Sequence, residues 1–347
     1  MKISKRVKNG YAMALAALLG MSGLSYMRTQ AANGIEARED CSVTISLSGS
    51  VAEGETAGVR IPVKLYKVAK VDASGKFTSL DGFPDMNEPD LDKDGKVTAE
   101  EWMTLADRAG KALTENSEVA GEAELVMEPE GSGESVSAEP VTIGNLGIGM
   151  YLVVPEEVYN DDYTVRYTFE PYLTALPGSE YAWNGSGSDE WIYQTEIGLK
   201  AEMEPETGSL RIVKKLETYN TSLGPVTCVF QVDGTDKSGK PYSNVISVTL
   251  NGSTEETLLE NIPAGMEVTV TEVYAGASYE LADADGETAV IISEEGLKHG
   301  INNGNVASVT FTNTYDEGNR SGNGVVNHFE KDGDGWNWRQ LTHEPIR

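Results

Sequence analysis

Cysteine is nearly missing from this sequence, with two in 347 residues, Cys41 and Cys228. So low a count excludes a disulfide framework, the usual staple of small exported domains. Histidine is as scarce: His299, His328 and His343 stand far apart, which excludes a histidine-based metal motif. Positive charge is in deficit, 27 Lys and Arg against 55 Asp and Glu, for a net charge of -28. A general nucleic-acid binder is excluded, because attraction to phosphate needs a basic face. The acidic surplus fits a chain that stays soluble in salt or binds cations. No nucleophile elbow occurs, nor a carboxylate pair framed by aromatics, so hydrolase chemistry has no recognisable seat. The one long apolar run, Tyr11 to about Leu24, falls short of the ~20 residues of a membrane span.

That run follows a basic start, MKISKRVK, and leads to a small-residue exit at Thr29-Gln30-Ala31, so residues 1–32 read as a secretory signal peptide cleaved near Ala31 or Ala32. No stable transmembrane span is expected after cleavage. Beyond it, abundant Gly and short alternating runs rich in Val, Thr and Tyr predict an all-β chain of two, or three, domains. CSVTISLSGS and VRIPVKLYKVAKV read as paired strands, and VTIGNLGIGMYLVVP and YTVRYTFEPYLTALP continue the pattern with Gly at the turns. A Pro/Glu/Thr stretch places a domain boundary near Glu204 to Thr207. Residues 41–203 form the first domain, 207–316 the second, and 317–347 a tail whose two apolar runs around a Gly/Asp turn predict a hairpin packed on the preceding domain. Trp336 and Trp338 are its packing face. Cys228 shares a strand face with Val226, Phe230 and Val232 and reads as a buried free thiol; the redox state of the two cysteines stays open.

Three strands of the second domain each end an apolar row on one polar group. Period-2 alternation puts Leu210, Ile212 and Lys214 on one face, Val268, Val270 and Glu272 on another, and Val309, Phe311 and Asn313 on a third. A buried amide without partners costs about 1–3 kcal/mol, so something inside should meet it. Burial disfavours charge and lowers a lysine's pKa. An uncharged Lys214 amine can attack the Asn313 amide carbon while Glu272, carrying a proton, hydrogen-bonds the carbonyl and shuttles protons. The product is a Lys-Asn isopeptide bond, with loss of ammonia. The other reading is a strand-end lysine and an exposed asparagine, neither bonded, and Lys215 competes for the first role.

The order GSLRIVKKL, IPAGMEVTVTEVY, VTFTNTYD, over about residues 207 to 316, resembles the Cna B-type domains of Gram-positive surface proteins and pilins. The resemblance implies an Ig-like β-sandwich in which Lys214 and Asn313 are cross-linked with Glu272 as the catalytic residue. GMYLVV, FEPYLTALP and WIYQTEIGLK are similar to the N-terminal domains of sortase-assembled pilins, which makes the fold two tandem Ig-like sandwiches. By that likeness Lys200 stands at the acceptor lysine used by a sortase to join pilus subunits. IGLKA lacks the Tyr-Pro that normally precedes it, and a solvated linker residue is the other reading. No LPXTG signal follows, so use as a sortase donor is not expected if the chain is complete.

DLDKDGKVTAEE, residues 90–101, carries oxygen ligands at the spacing of a twelve-residue EF-hand loop. Asp90, Asp92 and Asp94 take positions 1, 3 and 5, Gly95 turns the chain, the Lys96 carbonyl takes 7, Thr98 takes 9 and Glu101 takes 12. The expected cofactor is calcium. Downstream, Trp102, Leu105, Ala106, Ala109 and Leu113 form a helical stripe with Thr98 as cap, whereas the Pro- and Gly-rich upstream stretch makes a poor entering helix. This half EF-hand reads as a structural staple inserted in a β domain.

Together these features predict a secreted, cell-surface structural or adhesive protein, a pilin-like stalk with no enzymatic turnover beyond its own cross-link. The alternatives are a module that binds a host glycan or matrix protein through Tyr181, Trp183, Trp191 and Tyr193, and a secreted carbohydrate-active enzyme.

Overall fold

The computed structural model describes residues 34–48, 58–86, 99–130, 135–179, 190–236, 239–285, 287–316, 325–333 and 335–342. The chain divides into two compact units, Met1–Asn160 with Tyr167–Met203, and Asp161–Arg166 with Glu204–Arg347.

The elements up to the second unit are β1 (Cys41–Leu47), β2 (Arg60–Val71), β3 (Phe77–Ser79), α1 (Ala99–Lys111), β4 (Val119–Glu130), β5 (Ser135–Ala138), β6 (Val141–Leu146), β7 (Gly149–Pro155), β8 (Val158–Tyr159), β9 (Val165–Phe169), β10 (Tyr172–Leu176), β11 (Gly178–Ser179), β12 (Trp191–Ile192), β13 (Gln194–Leu199) and β14 (Ala201–Pro205). Two larger sheets have the orders β13-β1-β6 and β10-β7-β2-β4-β5 with β3 on β2, and two smaller ones the orders β11-β12 and β14-β9-β8. Alternation drives the larger two: Cys41, Val43 and Ile45 of β1 and Ile61, Val63 and Leu65 of β2 are fully buried. Helix α1 buries Trp102, Leu105, Ala106 and Ala109, an amphipathic stripe at helical spacing.

The first two strands correct one expectation: they are not partners. β1 runs parallel to β13 and antiparallel to β6, whereas β2 pairs with β4 and β7 in the other sheet. The twelve residues between Leu47 and Arg60 far exceed a tight hairpin loop. A connection of that length lets successive strands enter opposite sheets.

The second unit continues with β15 (Thr207–Leu216), β16 (Val226–Thr235), β17 (Pro241–Leu250), β18 (Thr254–Pro263), β19 (Glu267–Tyr274), β20 (Tyr279–Asp285), β21 (Thr288–Val290), α2 (Glu294–Lys298), β22 (Ala307–Tyr315), β23 (Val325–Asp332) and β24 (Gly335–Thr342). Two four-stranded sheets form, β18-β15-β22-β20 and β17-β16-β19-β21. β15 and β22 lie side by side and parallel, with Lys214 opposite Phe311 and Leu216 opposite Asn313. Between the sheets lies one apolar core that includes Leu210, Ile212, Phe230, Val232, Val268, Val270, Val309 and Phe311. Full burial of each large side chain contributes about 1.5–3 kcal/mol. β23 and β24 form an antiparallel hairpin closed between Asp332 and Gly335, with β24 beside β17. Among the described residues no helix is long and apolar enough to cross a membrane.

Candidate functional site

Lys214 comes from β15, Glu272 from β19 in the facing sheet, and Asn313 from β22. Because β15 and β22 are neighbours, the amine and the amide rise from adjacent strands of one sheet, and the carboxyl descends from the other. The side chains of Lys214 and Glu272 are 0% and 1% exposed, and Asn313 is 0% exposed. Lys215, the competitor, faces solvent on the opposite side of β15.

Glu272 is the hub. Its Oε1 lies 2.9 Å from the Lys214 amine and accepts the Asn313 Nδ2–H at 3.1 Å. The two nitrogens share one oxygen, so no more than two hydrogen-bond lengths separate them. The second Nδ2–H of Asn313 goes to the Ala275 carbonyl at 3.0 Å. This corrects one detail of the expected arrangement, in which Glu272 met the amide through its oxygen. Two acceptors, a carboxyl oxygen and a backbone carbonyl, face the same end of the amide, and only the nitrogen end can donate to both.

Three polar atoms here have no hydrogen bond: Lys214 Nζ, Glu272 Oε2 and Asn313 Oδ1. The amine is within ion-pair distance of Oε1 but off hydrogen-bond geometry. Burial holds the Lys214 pKa below its ordinary value, and nearby Glu272 only partly opposes that fall. The amine is thus displaced toward its neutral, nucleophilic form.

Two aromatic rings flank the trio. In strand register Phe230 is the partner of Glu272 and Phe311 that of Lys214. The rings meet at 5.1 Å between centroids, tilted by 48°, and both are buried.

Sequence reasoning missed two members. Cys228 reads from the sequence as a buried free thiol, and it is one; what was missed is that its thiol donates to the Ala275 carbonyl at 3.4 Å. The signal was available: Cys228 faces inward two residues before Phe230, the register partner of Glu272. The Ala275 carbonyl had no signal, since every residue has a carbonyl and only the backbone path aims it.

The other predicted residues lie apart. Lys200 is exposed just after β13. Glu101 sits in the first turn of α1; Asp90, Asp92, Asp94, Lys96 and Thr98 lie outside the described residues, as do the signal peptide, Tyr181 and Trp183. Among the described residues no cluster of His, Cys, Asp and Glu is arranged to hold a metal. Tyr193 is engaged in packing: its hydroxyl accepts the Glu36 N–H at 3.0 Å and Arg38 lies over its ring at 4.6 Å. Cys41, like Cys228, is buried and free.

A family model described as Domain of unknown function (DUF5979) matches residues 210–316, a span that contains all three members of the trio. No curated protein matches the chain. Among solved structures, the chain is similar to the Bacillus anthracis TIE protein, at 13% identity and a TM-score of 0.31 over 88% of this chain, and it spans 44% of that protein's length. It is similar to the SpaE basal pilin of Lactobacillus rhamnosus GG, at 13% identity and a TM-score of 0.27 over 74% of this chain and 87% of the pilin. It is also similar to the major pilin T-13 of Streptococcus pyogenes, at 11% identity and a TM-score of 0.21 over 82% of this chain and 100% of the pilin. Gram-positive pilins are therefore among the structures it is similar to, and the functional reading rests on the site itself.

Proposed function

We propose that this chain is a secreted cell-surface structural protein, a pilin-like stalk, whose second unit locks itself with an isopeptide bond between Lys214 and Asn313. The observation that carries this reading is the dry convergence of a lysine amine, a carboxyl and a carboxamide, with three of their polar atoms left unbonded. An unsatisfied polar atom such as Glu272 Oε2 or Asn313 Oδ1 costs about 1–3 kcal/mol in a folded core, and the Lys214 amine has only its ion-pair contact with Glu272, a poor use of three residues unless they react. In the reaction the neutral Lys214 amine attacks the Asn313 carbonyl carbon, and Glu272 carries the proton from the attacking nitrogen to the departing one. The new C–N bond replaces the old one, ammonia leaves, and Glu272 returns to its starting state. The product is a secondary amide with one N–H left to satisfy, and the carboxyl stands beside it as acceptor.

Intact-mass measurement tests this directly. The wild-type protein is expected one ammonia lighter than its sequence, and the Lys214→Ala, Glu272→Ala and Asn313→Ala variants at full mass. A wild-type protein at full mass overturns the proposal.

The same reading includes a calcium ion held by the 90–101 loop as a staple, supported by the ligand spacing, and assembly with other pilus subunits through exposed Lys200. No turnover on an external substrate is part of it.

A further inference from the structure

The Ala275 carbonyl touches the atom that must leave. We propose that it is a catalytic group of the cross-linking step, the acceptor that holds the departing amide nitrogen, and that Cys228 and Gly276 are the positioning residues that aim it. This inference rests on the isopeptide reading and adds a role which that reading does not contain.

Three observations converge. First, Ala275 O and Glu272 Oε1 together take both N–H groups of Asn313 Nδ2, so the leaving nitrogen is held by two acceptors. Second, the same Ala275 oxygen accepts the Cys228 thiol. That thiol is 0% exposed, and burial, reinforced by Glu272, pushes its pKa up to about 12. It therefore remains protonated and a donor across the physiological range. Third, the next residue, Gly276, has φ +92°, and a Cβ there would meet Val226 Cγ1 at 2.7 Å. Only glycine holds this backbone without strain, and the turn it makes directs the Ala275–Gly276 peptide plane into the core.

In the ground state Nδ2 is a neutral, planar amide nitrogen. As Lys214 Nζ bonds to Cγ and the transferred proton reaches Nδ2, that nitrogen becomes a cationic amine. A hydrogen bond from a charged donor is roughly twice as strong as a neutral one. The contact with Ala275 O therefore tightens on the way to the transition state, which is the condition for accelerating the step. Cleavage of Cγ–Nδ2 then releases ammonia.

The experiment follows ammonia loss by intact mass during cell-free synthesis of the full chain. It compares wild type with Cys228→Ser, which keeps a donor, and Cys228→Val, which keeps the volume without one. Cross-linking is expected near the wild-type rate in Cys228→Ser and slower by about tenfold in Cys228→Val, within the range that misplacing a reacting group costs. A structural control places both substitutions in a Lys214→Ala background, where their melting temperatures should not differ enough to account for the rate. A direct probe replaces Gly276 by glycolic acid through nonsense suppression, weakening the Ala275 carbonyl as an acceptor without altering a side chain, and is expected to slow the reaction. Equal rates in all proteins, equal slowing by Ser and Val, or rates that follow melting temperature overturn the inference alone. No ammonia loss from wild type overturns the isopeptide reading beneath it.

Discussion

Replacing Glu272 by Gln removes the proton carrier while leaving the Lys214 stem and the Asn313 amide in place. Two effects then destabilise the second unit. The isopeptide bond closes a loop of about a hundred residues, and losing it restores roughly 4.7 kcal/mol of unfolded-state entropy in the loop-closure model. In addition, without the bond Lys214 remains a buried amine that faces a carboxamide in place of the carboxyl 2.9 Å away, and an amine buried without a carboxyl partner costs up to about 3–5 kcal/mol. The double variant Lys214→Met with Glu272→Gln separates the terms, since it lacks both the bond and the stranded amine. It is expected to be more stable than Glu272→Gln alone, although it carries one more substitution. It is expected to melt below wild type by roughly 10–20 °C, taking about 2–4 °C per kcal/mol for a unit of this size. Scanning calorimetry with intact mass on the same samples reads both quantities. If the double variant melts with wild type, or if the single variant matches it while lacking the bond, the cross-link does not stabilise the unit and the reasoning fails.

Further outcomes follow from the same geometry. In Glu272→Gln, burial keeps the Lys214 pKa below the ordinary 10.5, so between the lowered folded value and 10.5 the unfolded chain binds more protons. Stability should therefore rise with pH across that window relative to the double variant, as urea titrations at several pH values will show. Cross-linking of newly made wild-type protein should slow as pH falls through the lowered Lys214 pKa, because protonation removes the nucleophile; the mass time course measures this. With Cys228 pushed up to about 12 and Cys41 raised by burial, neither thiol should react with iodoacetamide at pH 8 until denaturant is added, a mass measurement that rapid native labelling would contradict. Calorimetric titration with calcium should give heat that disappears in Asp90→Ala with Glu101→Ala; unchanged heat would move calcium elsewhere.

Much of the second unit was legible because strand alternation is a local property. Leu210, Ile212 and Lys214 share a face for the same reason that Val309, Phe311 and Asn313 do, and a polar residue in phase with an apolar row declares its own burial. Lys215 stayed a competitor in the sequence, and it was its exposure on the other side of β15 that set it aside. The first unit was harder. β4, in the Glu-rich stretch from Val119 to Glu130, was overlooked because its acidic outer face masks the buried Leu125 and Met127, and the supposed β1–β2 pairing failed because pairing is not encoded within a strand. The calcium ligands were readable only as a spacing.

By itself the sequence determined which side chains face inward, that the chain is β-rich and acidic, and that three chemically matched groups occupy inward positions, since each follows from periodicity and composition over a few residues. Only the tertiary structure decided that β15 and β22 are parallel neighbours, that Glu272 reaches them from the opposite sheet, which end of the Asn313 amide it meets, and that a thiol and a loop carbonyl complete the site. Those relations join residues up to about a hundred positions apart. They are set by how two sheets share one core and where a glycine turns the backbone, which no local pattern specifies.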